Sequence, residues 1–447
     1  MRKDTLLTAL ILLGLVAGAL VGQFVLYDPD ATREALAQST AGLQTAGDLI
    51  FIRPLRMLII PLVFVSVVSG VCALGEPSKL GLVGGATLLY FAGTTLVAVT
   101  LGLAIATAVQ PGAGIDISLL ENTARQGFAE ENVAAKVQSG PGGLGDAFLA
   151  LVEGMVPSNI LKAAVDGNIL AIVLFAIFLG VALTLAGKAA QPAVAVIEAF
   201  LAGFMKIVGW IMWLAPIGVF LIIAARVGQT GLSNLVGPLG MYILCVVGGL
   251  LIQGAVVLPL VLWVFGRTNP YRFLLQMRKV ILTAFSTASS SATLPVTIEE
   301  CRRVGGCSKR AATFVPALGA TVNMNGTALY EAVAVLFLFQ AFGIELTMAQ
   351  QMVILVTATL AAVGAPGIPG AGIVTMAIVI NAVNSSLTAI APDSPQLPLW
   401  TIGLILGVDR FLDMCRTTLN VFGDCVGARL ITRIAPDEPG DTTPMLA

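Results

Sequence analysis

The segment STASSSATLP, Ser286 to Pro295, decides how this chain is read, because six of its ten residues are serine or threonine in an otherwise oily sequence. The 447 residues are 57% hydrophobic and 11% charged, with mean hydropathy +0.94. Soluble domains carry about 25% charged residues, and only helices or closed barrels span a bilayer. The expectation is an all-α polytopic membrane protein. Polar side chains cost free energy in hydrocarbon, so a cluster of them there needs a reason.

The flanks supply one. STASSSATLP sits inside a charge-free run, Val280–Ile298. Arg267, Arg272, Arg278 and Lys279 precede it; Arg302, Arg303, Lys309 and Arg310 follow. Basic residues mark the cytoplasmic side. Both ends therefore lie on one face, and the segment is predicted to dip in and return as a hairpin over about 270–300. Its tip is the polar stretch, since non-helical backbone at membrane depth survives only inside protein or against a cavity.

A counterpart lies downstream. Leu346–Pro392 is charge-free, bounded by Glu345 and Asp393, and interrupted by GAPGIPGAG at Gly364–Gly372. With no basic residue near either end, it reads as a second hairpin, 346–392, entering from outside. Each hairpin precedes a helix with polar residues in mid-membrane: NMNGT, Asn323–Thr327, and DMCRTTLN, Asp413–Asn420. Paired broken segments are a pointer to a transporter's binding site, so the serines are expected to line it.

The last helix, placed at about Ser394–Ile431, carries Asp409, Arg410, Asp413, Arg416 and Asp424. At 100° per residue, Asp409, Asp413, Arg416, Asn420 and Asp424 fall within about 80° of one another. Each charge costs about 3 kcal/mol against lipid, so this face points inward. A structural Asp–Arg network that fixes helix packing fits Asp409 and Arg410, which lie nearer the outer end. Among these five charges three carboxylates outnumber two guanidiniums, and the surplus negative charge around Asp413, Arg416, Asn420 and Asp424 invites a cation.

Other observations bound the answer. Leu6–Tyr27 is 22 residues without charge, read as an uncleaved first helix rather than a signal peptide. Gly81–Ile115 exceeds one span and reads as two passes, a hairpin or a long tilted helix. No histidine is present, which removes His-based metal sites and Ser–His or Cys–His nucleophiles. Six cysteines contain no C-x-x-C pair and read as free thiols. Net charge −1 argues against nucleic acid.

On the serine-rich tip, NMNGT, GIPGAG and DMCRTTLNVFGD, in that order, the sequence resembles the glutamate transporter family, the dicarboxylate/amino acid:cation symporters. The resemblance implies eight transmembrane helices plus two re-entrant hairpins, inverted repeats and a homotrimer working as an elevator. Residues 1–76 and 145–226 would be scaffold, 77–115 and 230–432 the moving transport domain, and 433–447 a cytoplasmic tail. Both termini would be cytoplasmic, in the cell's inner or plasma membrane. The partners implied are a small acidic amino acid and the lipid bilayer; no cofactor is implied beyond sodium as coupling ion.

Carried over by motif, Arg416 would pair with the substrate's side-chain carboxylate and Asp413 with its ammonium. Thr327, Thr417 and Asn420 would hydrogen-bond the substrate, and Ser289, Ser290, Ser291, Ile368 and Gly372 would grip it from the hairpin tips. The first sodium site falls to Gly319, Asn323, Asn420 and Asp424. The second falls to backbone at Thr321, Met324, Ala362, Val363 and Ala365. The third falls to Thr94 and Thr95 with Asn323 and Asn325. Asn325 replaces the family's aspartate, which predicts a weak or missing third site. Glu331 is either a proton carrier or a helix-end glutamate at the interface. Second arginines found in relatives fall at Met414 and Ala288 here, so they are not reproduced.

The resulting function is secondary uptake of L-aspartate or L-glutamate with sodium, with or without a proton, and not an enzyme. A four-carbon dicarboxylate symporter is the near alternative, disfavoured by Asp413. Neutral amino acid members of the family replace the arginine, which Arg416 argues against. An intramembrane protease lacks its histidine or its G-x-G-D setting. An anion pore is distinguished by whether substrate accumulates against its gradient.

Overall fold

The computed structural model describes residues 2–29, 31, 33–74, 77–115, 125, 128, 153, 155–230, 239–363, 367, 370–390 and 393–437. Among them every regular element is helical. In hydrocarbon each backbone N–H must find an acceptor inside the protein, and a helix supplies one within its own segment.

The first group comprises α1 (Arg2–Val21), α2 (Arg33–Gly47), α3 (Arg53–Leu74), α5 (Ile160–Val165), α6 (Ile169–Ala186), α7 (Gln191–Met212) and α8 (Ala215–Thr230). Helices α1 and α2 pack on α8, while α3 packs on α6 and α7. Glycines at four-residue spacing let α1 approach closely. A Cβ at Gly14 would stand 2.5 Å from the Pro216 carbonyl oxygen, and one at Gly18 would stand 2.6 Å from that of Phe220.

The second group begins with α4 (Pro77–Val109). The run Gly81–Ile115 thus yields one helix of 33 residues, about 50 Å long, which must tilt to fit about 30 Å of hydrocarbon. Next come α9 (Gly240–Ile252), α10 (Leu258–Val264), α11 (Pro270–Gln276), α12 (Arg278–Thr287) and α13 (Ser290–Arg303). They are followed by α14 (Lys309–Val322), α15 (Asn325–Ala341), α16 (Met348–Val363), α17 (Ala371–Ile390) and α18 (Gly403–Ile431). Helices α14 and α15 form the centre; their whole apolar window is buried. Around them pack α4, α13, α16 and α18. The two groups meet mainly where α3 lies against α13 and α14.

Both interrupted segments are helical hairpins: α12 packs on α13, and α16 on α17. The last helix starts later than its charge-free run suggests. Pro395 and Pro398 bias the residues before them away from helical backbone. A single 3-10 turn, Leu399–Ile402, leads into Gly403 instead. Seven described stretches are long and apolar enough to cross a membrane. Helix α18 is not among them because it carries too many charges for an apolar span; of these, Asp409, Asp413, Arg416 and Asp424 are buried among neighbouring helices and not set against lipid. The segment after it is tied back, since the Lys309 backbone N–H donates to Asp437 Oδ1 at 2.7 Å.

Candidate functional site

The first tip is built by its own hydroxyls. Helix α12 ends because Ala288 adopts left-handed backbone (φ 47°) and Ser289 is extended. Ser289 Oγ then caps α13 by accepting from the Ala292 N–H at 3.1 Å. Thr293 Oγ1 donates to the Ser289 carbonyl at 2.8 Å and shares a 2.9 Å hydrogen bond with Thr287 Oγ1. Ser286 bonds back to the Leu282 carbonyl.

Most of the polar cluster therefore satisfies a turn that water cannot reach. Of Ser289, Ser290 and Ser291, only Ser290 lines the central void, beside Ala288. That narrows the expectation that all three contact substrate.

Ser289 and Ser291 bind the other hairpin instead. The Gly367 carbonyl accepts from Ser289 Oγ at 2.7 Å and from the Ser291 N–H at 3.1 Å. Gly367 has no room for a side chain, as a Cβ would come within 2.7 Å of Ser291 Oγ. The two tips thus meet. Ser289→Ala removes a helix cap and one of the two ties, together about 1–2 kcal/mol. Hydrogen exchange at the amides of 289–292 is expected to quicken about five- to thirtyfold; unchanged exchange would show that the tie carries no weight.

The second wall of the void is α18. Asp409, Asp413, Arg416, Asn420 and Asp424 are all at most 3% exposed. Arg416 Nε donates to Asp413 Oδ1 at 3.0 Å and Nη1 to Asp409 Oδ1 at 3.3 Å. Its guanidinium lies over the Tyr330 ring, 4.4 Å from the centroid, and Tyr330 Oη donates to Asp409 Oδ1 at 2.6 Å. Asp409 is therefore Arg416's partner, not Arg410's. Neighbouring helical positions point about 100° apart, and Arg410 is only partly buried.

The second hairpin covers this pair. Asp413 Oδ2 accepts from the Gly370 N–H at 3.0 Å, with Gly370 at φ +79°. A Cβ at Gly372 would stand 2.7 Å from Arg416 Nη1. Ala288, Ser290, Thr327, Gly372, Asp413 and Arg416 border a void of about 10 Å³, with Met324, Gly367, Ala371, Thr417 and Asn420 completing it. That is about one probe sphere, room for a single water. Ala288, Gly367 and Ala371 were not foreseen as lining residues, having no functional side chain to flag them. Ile368 and Ala365 lie outside the described residues, and only the helical backbone of Val363 is described.

The first proposed sodium set does converge. The chain leaves helical geometry at Asn323 and Met324, between α14 and α15. Asn323 Nδ2 donates to Asp424 Oδ1 at 2.8 Å, and Gly319 faces the same carboxylate. Asn420 Oδ1 accepts from the Gly326 N–H at 2.7 Å, while its Nδ2 donates to Thr327 Oγ1 at 3.2 Å. For the second set, Thr321 and Met324 lie at that break, and Ala362 is buried near the end of α16.

The third set is looser. Thr94 and Thr95 are buried on α4, which packs on α15. Thr94 Oγ1 bonds back to the Tyr90 carbonyl at 2.9 Å, and no hydrogen bond joins it to Asn323 or Asn325. Asn325 is fully buried with neither amide atom bonded, and Asn323 Oδ1 is also unbonded. Glu331 sits mid-helix in α15 at 0% exposure, which overturns the helix-end reading. Thr375 Oγ1 of the second hairpin donates to Glu331 Oε1, and Oε2 has no partner.

Opposed hairpins meeting over a buried, charged helix inside an apolar bundle define a multi-pass membrane transporter. The chain belongs to the Sodium:dicarboxylate symporter family, whose model matches residues 7–434. It is 37% identical over 459 residues to the human "Neutral amino acid transporter B(0)", covering 96% of this chain and 80% of the relative. It is 36% identical over 418 residues to the human "Neutral amino acid transporter A", covering 85% and 74%. A Caenorhabditis elegans protein called "Putative sodium-dependent excitatory amino acid transporter glt-4" is 33% identical over 477 residues, covering 98% and 91%.

Proposed function

We propose that this chain takes up acidic amino acids, L-aspartate or L-glutamate, with sodium. The carrying observation is the buried Asp413–Arg416 pair in the wall of the void. Two bonds occupy Nε and Nη1, while Nη2 has no acceptor among the described residues. A substrate carboxylate reaching this guanidinium would find the planar fork that suits it. Asp413, released from Nε, would meet the substrate ammonium. One buried ion pair is thereby exchanged for two.

A dicarboxylate would bring a second anion to Asp413, which disfavours it. A neutral amino acid is the second reading, favoured by the names of two relatives; it would leave Nη2 dry and unpaired. Uptake of labelled aspartate, glutamate, succinate and serine into proteoliposomes under imposed sodium gradients separates the three. Asp413→Asn is expected to weaken aspartate at least tenfold more than succinate, since only aspartate loses a charged contact, about 1.5 kcal/mol or more. Equal weakening would assign Asp413 a structural or cation-binding role.

With room for one water, the void would need the second hairpin to withdraw from Arg416 and Ser289 for entry. We take that hairpin as the gate and Glu331, bonded to it through Thr375, as a proton carrier. Residues 1–76 and 145–226 are assigned as scaffold, and 77–115 and 230–432 as the moving part. The separate packing of α1–α3 with α6–α8 supports this division. A homotrimer with both termini cytoplasmic completes the proposal.

A further inference from the structure

A groove of about 700 Å³ lies at the elbow where α10 ends and the first hairpin begins. Val256, Leu260 and Trp263 form its wall, with Trp263 63% exposed; Arg267, Thr268 and Asn269 form its rim. Arg267 holds left-handed backbone (φ 44°). Two further guanidiniums reach the same elbow. Arg429 Nε donates to Thr268 Oγ1 at 3.1 Å, and Arg433 Nη1 donates to the Phe265 carbonyl at 2.7 Å. None of the three arginines forms an ion pair with a described carboxylate.

We propose that this groove binds an anionic phospholipid, its acyl chain along Val256, Leu260 and Trp263 and its phosphate on Arg267. The apolar stretch Gly240–Val264 ends at this elbow, so the arginines stand at headgroup depth. Trp263 and Tyr271 supply the aromatic pair typical of that depth. Any lipid tail would cover the wall. The uncompensated guanidiniums are what select a negative headgroup, as basic pockets between membrane helices do, and their planar donors match phosphate. Because the elbow continues into α11 and α12, an occupied groove ties the base of the first hairpin to the bilayer.

The test uses the purified full chain with brominated phosphatidylglycerol or brominated phosphatidylcholine. Quenching of Trp263 is read as the difference between wild type and Trp263→Phe. Phosphatidylglycerol is expected to quench at a lower mole fraction than phosphatidylcholine. Arg267→Gln should shift that curve about fivefold, the fold-change that corresponds to about 1 kcal/mol per arginine, and Arg267→Lys should recover most of it. Equal quenching by the two lipids overturns the proposal, as does an unchanged phosphatidylglycerol curve in Arg267→Gln. Displacement by millimolar inorganic phosphate also overturns it, because the ligand would then be a free anion.

Discussion

Arg416→Cys is expected to lower aspartate and glutamate transport at least a hundredfold while admitting small neutral amino acids such as serine. The variant removes the bidentate partner of a carboxylate in a site where Arg416 is 1% exposed and Asp413 3%. Stranding a buried anion costs about 3 kcal/mol or more. The same change strips Asp409 of its cation, leaving only Tyr330 Oη, and leaves Asp413 with only the Gly370 N–H. Some loss of stability is therefore expected too. Serine uptake by the variant distinguishes altered selectivity from misfolding. Arg416→Lys sharpens the point: it keeps the charge without the fork, so an intermediate aspartate affinity is expected. Unchanged aspartate affinity in Arg416→Cys would remove this residue from the site.

Much of this arrangement was legible because a bilayer punishes charge. The basic residues around Val280–Ile298, and the absence of any near Leu346–Pro392, read as both ends of each segment on one side, which predicts a hairpin in each case. The inward face of α18 followed from the helical angle, which gathers its charges on one side, and from the cost of turning that side to lipid. What the sequence concealed are contacts between distant segments. Asp409 reads as Arg410's neighbour in the chain, yet its partners are Arg416, two turns along, and Tyr330 on another helix. The serine-rich tip reads as a binding surface, but a buried turn must first satisfy its own backbone, and most of its hydroxyls are committed there. Gly367 carries no side-chain chemistry at all; its role as acceptor for the opposite tip exists only once the hairpins are packed.

Asn325→Asp is expected to raise the sodium count from two to three per substrate. Asn325 is fully buried and both amide atoms lack partners, as does Asn323 Oδ1 nearby. Both Asn side chains crowd one spot: a Cβ at Gly423 would stand 2.8 Å from Asn323 Nδ2 and 3.0 Å from Asn325 Nδ2. An asparagine there offers a dipole, which leaves a sodium ion's charge uncompensated in a dry site. An aspartate would supply the full charge. One more sodium moved inward gains about 2.3 kcal/mol at 100 mV and about 1.4 kcal/mol from a tenfold gradient. Together these raise the limiting accumulation ratio about 500-fold. Reversal potentials of proteoliposomes at several sodium concentrations count the ions directly. In the wild-type chain, a proton on Glu331 is expected to be the further coupling ion, so an inward proton gradient should add to uptake and Glu331→Gln should abolish that increment. Three sodium ions per substrate in the wild type would sink the idea, because the site would then have bound its cation without the carboxylate.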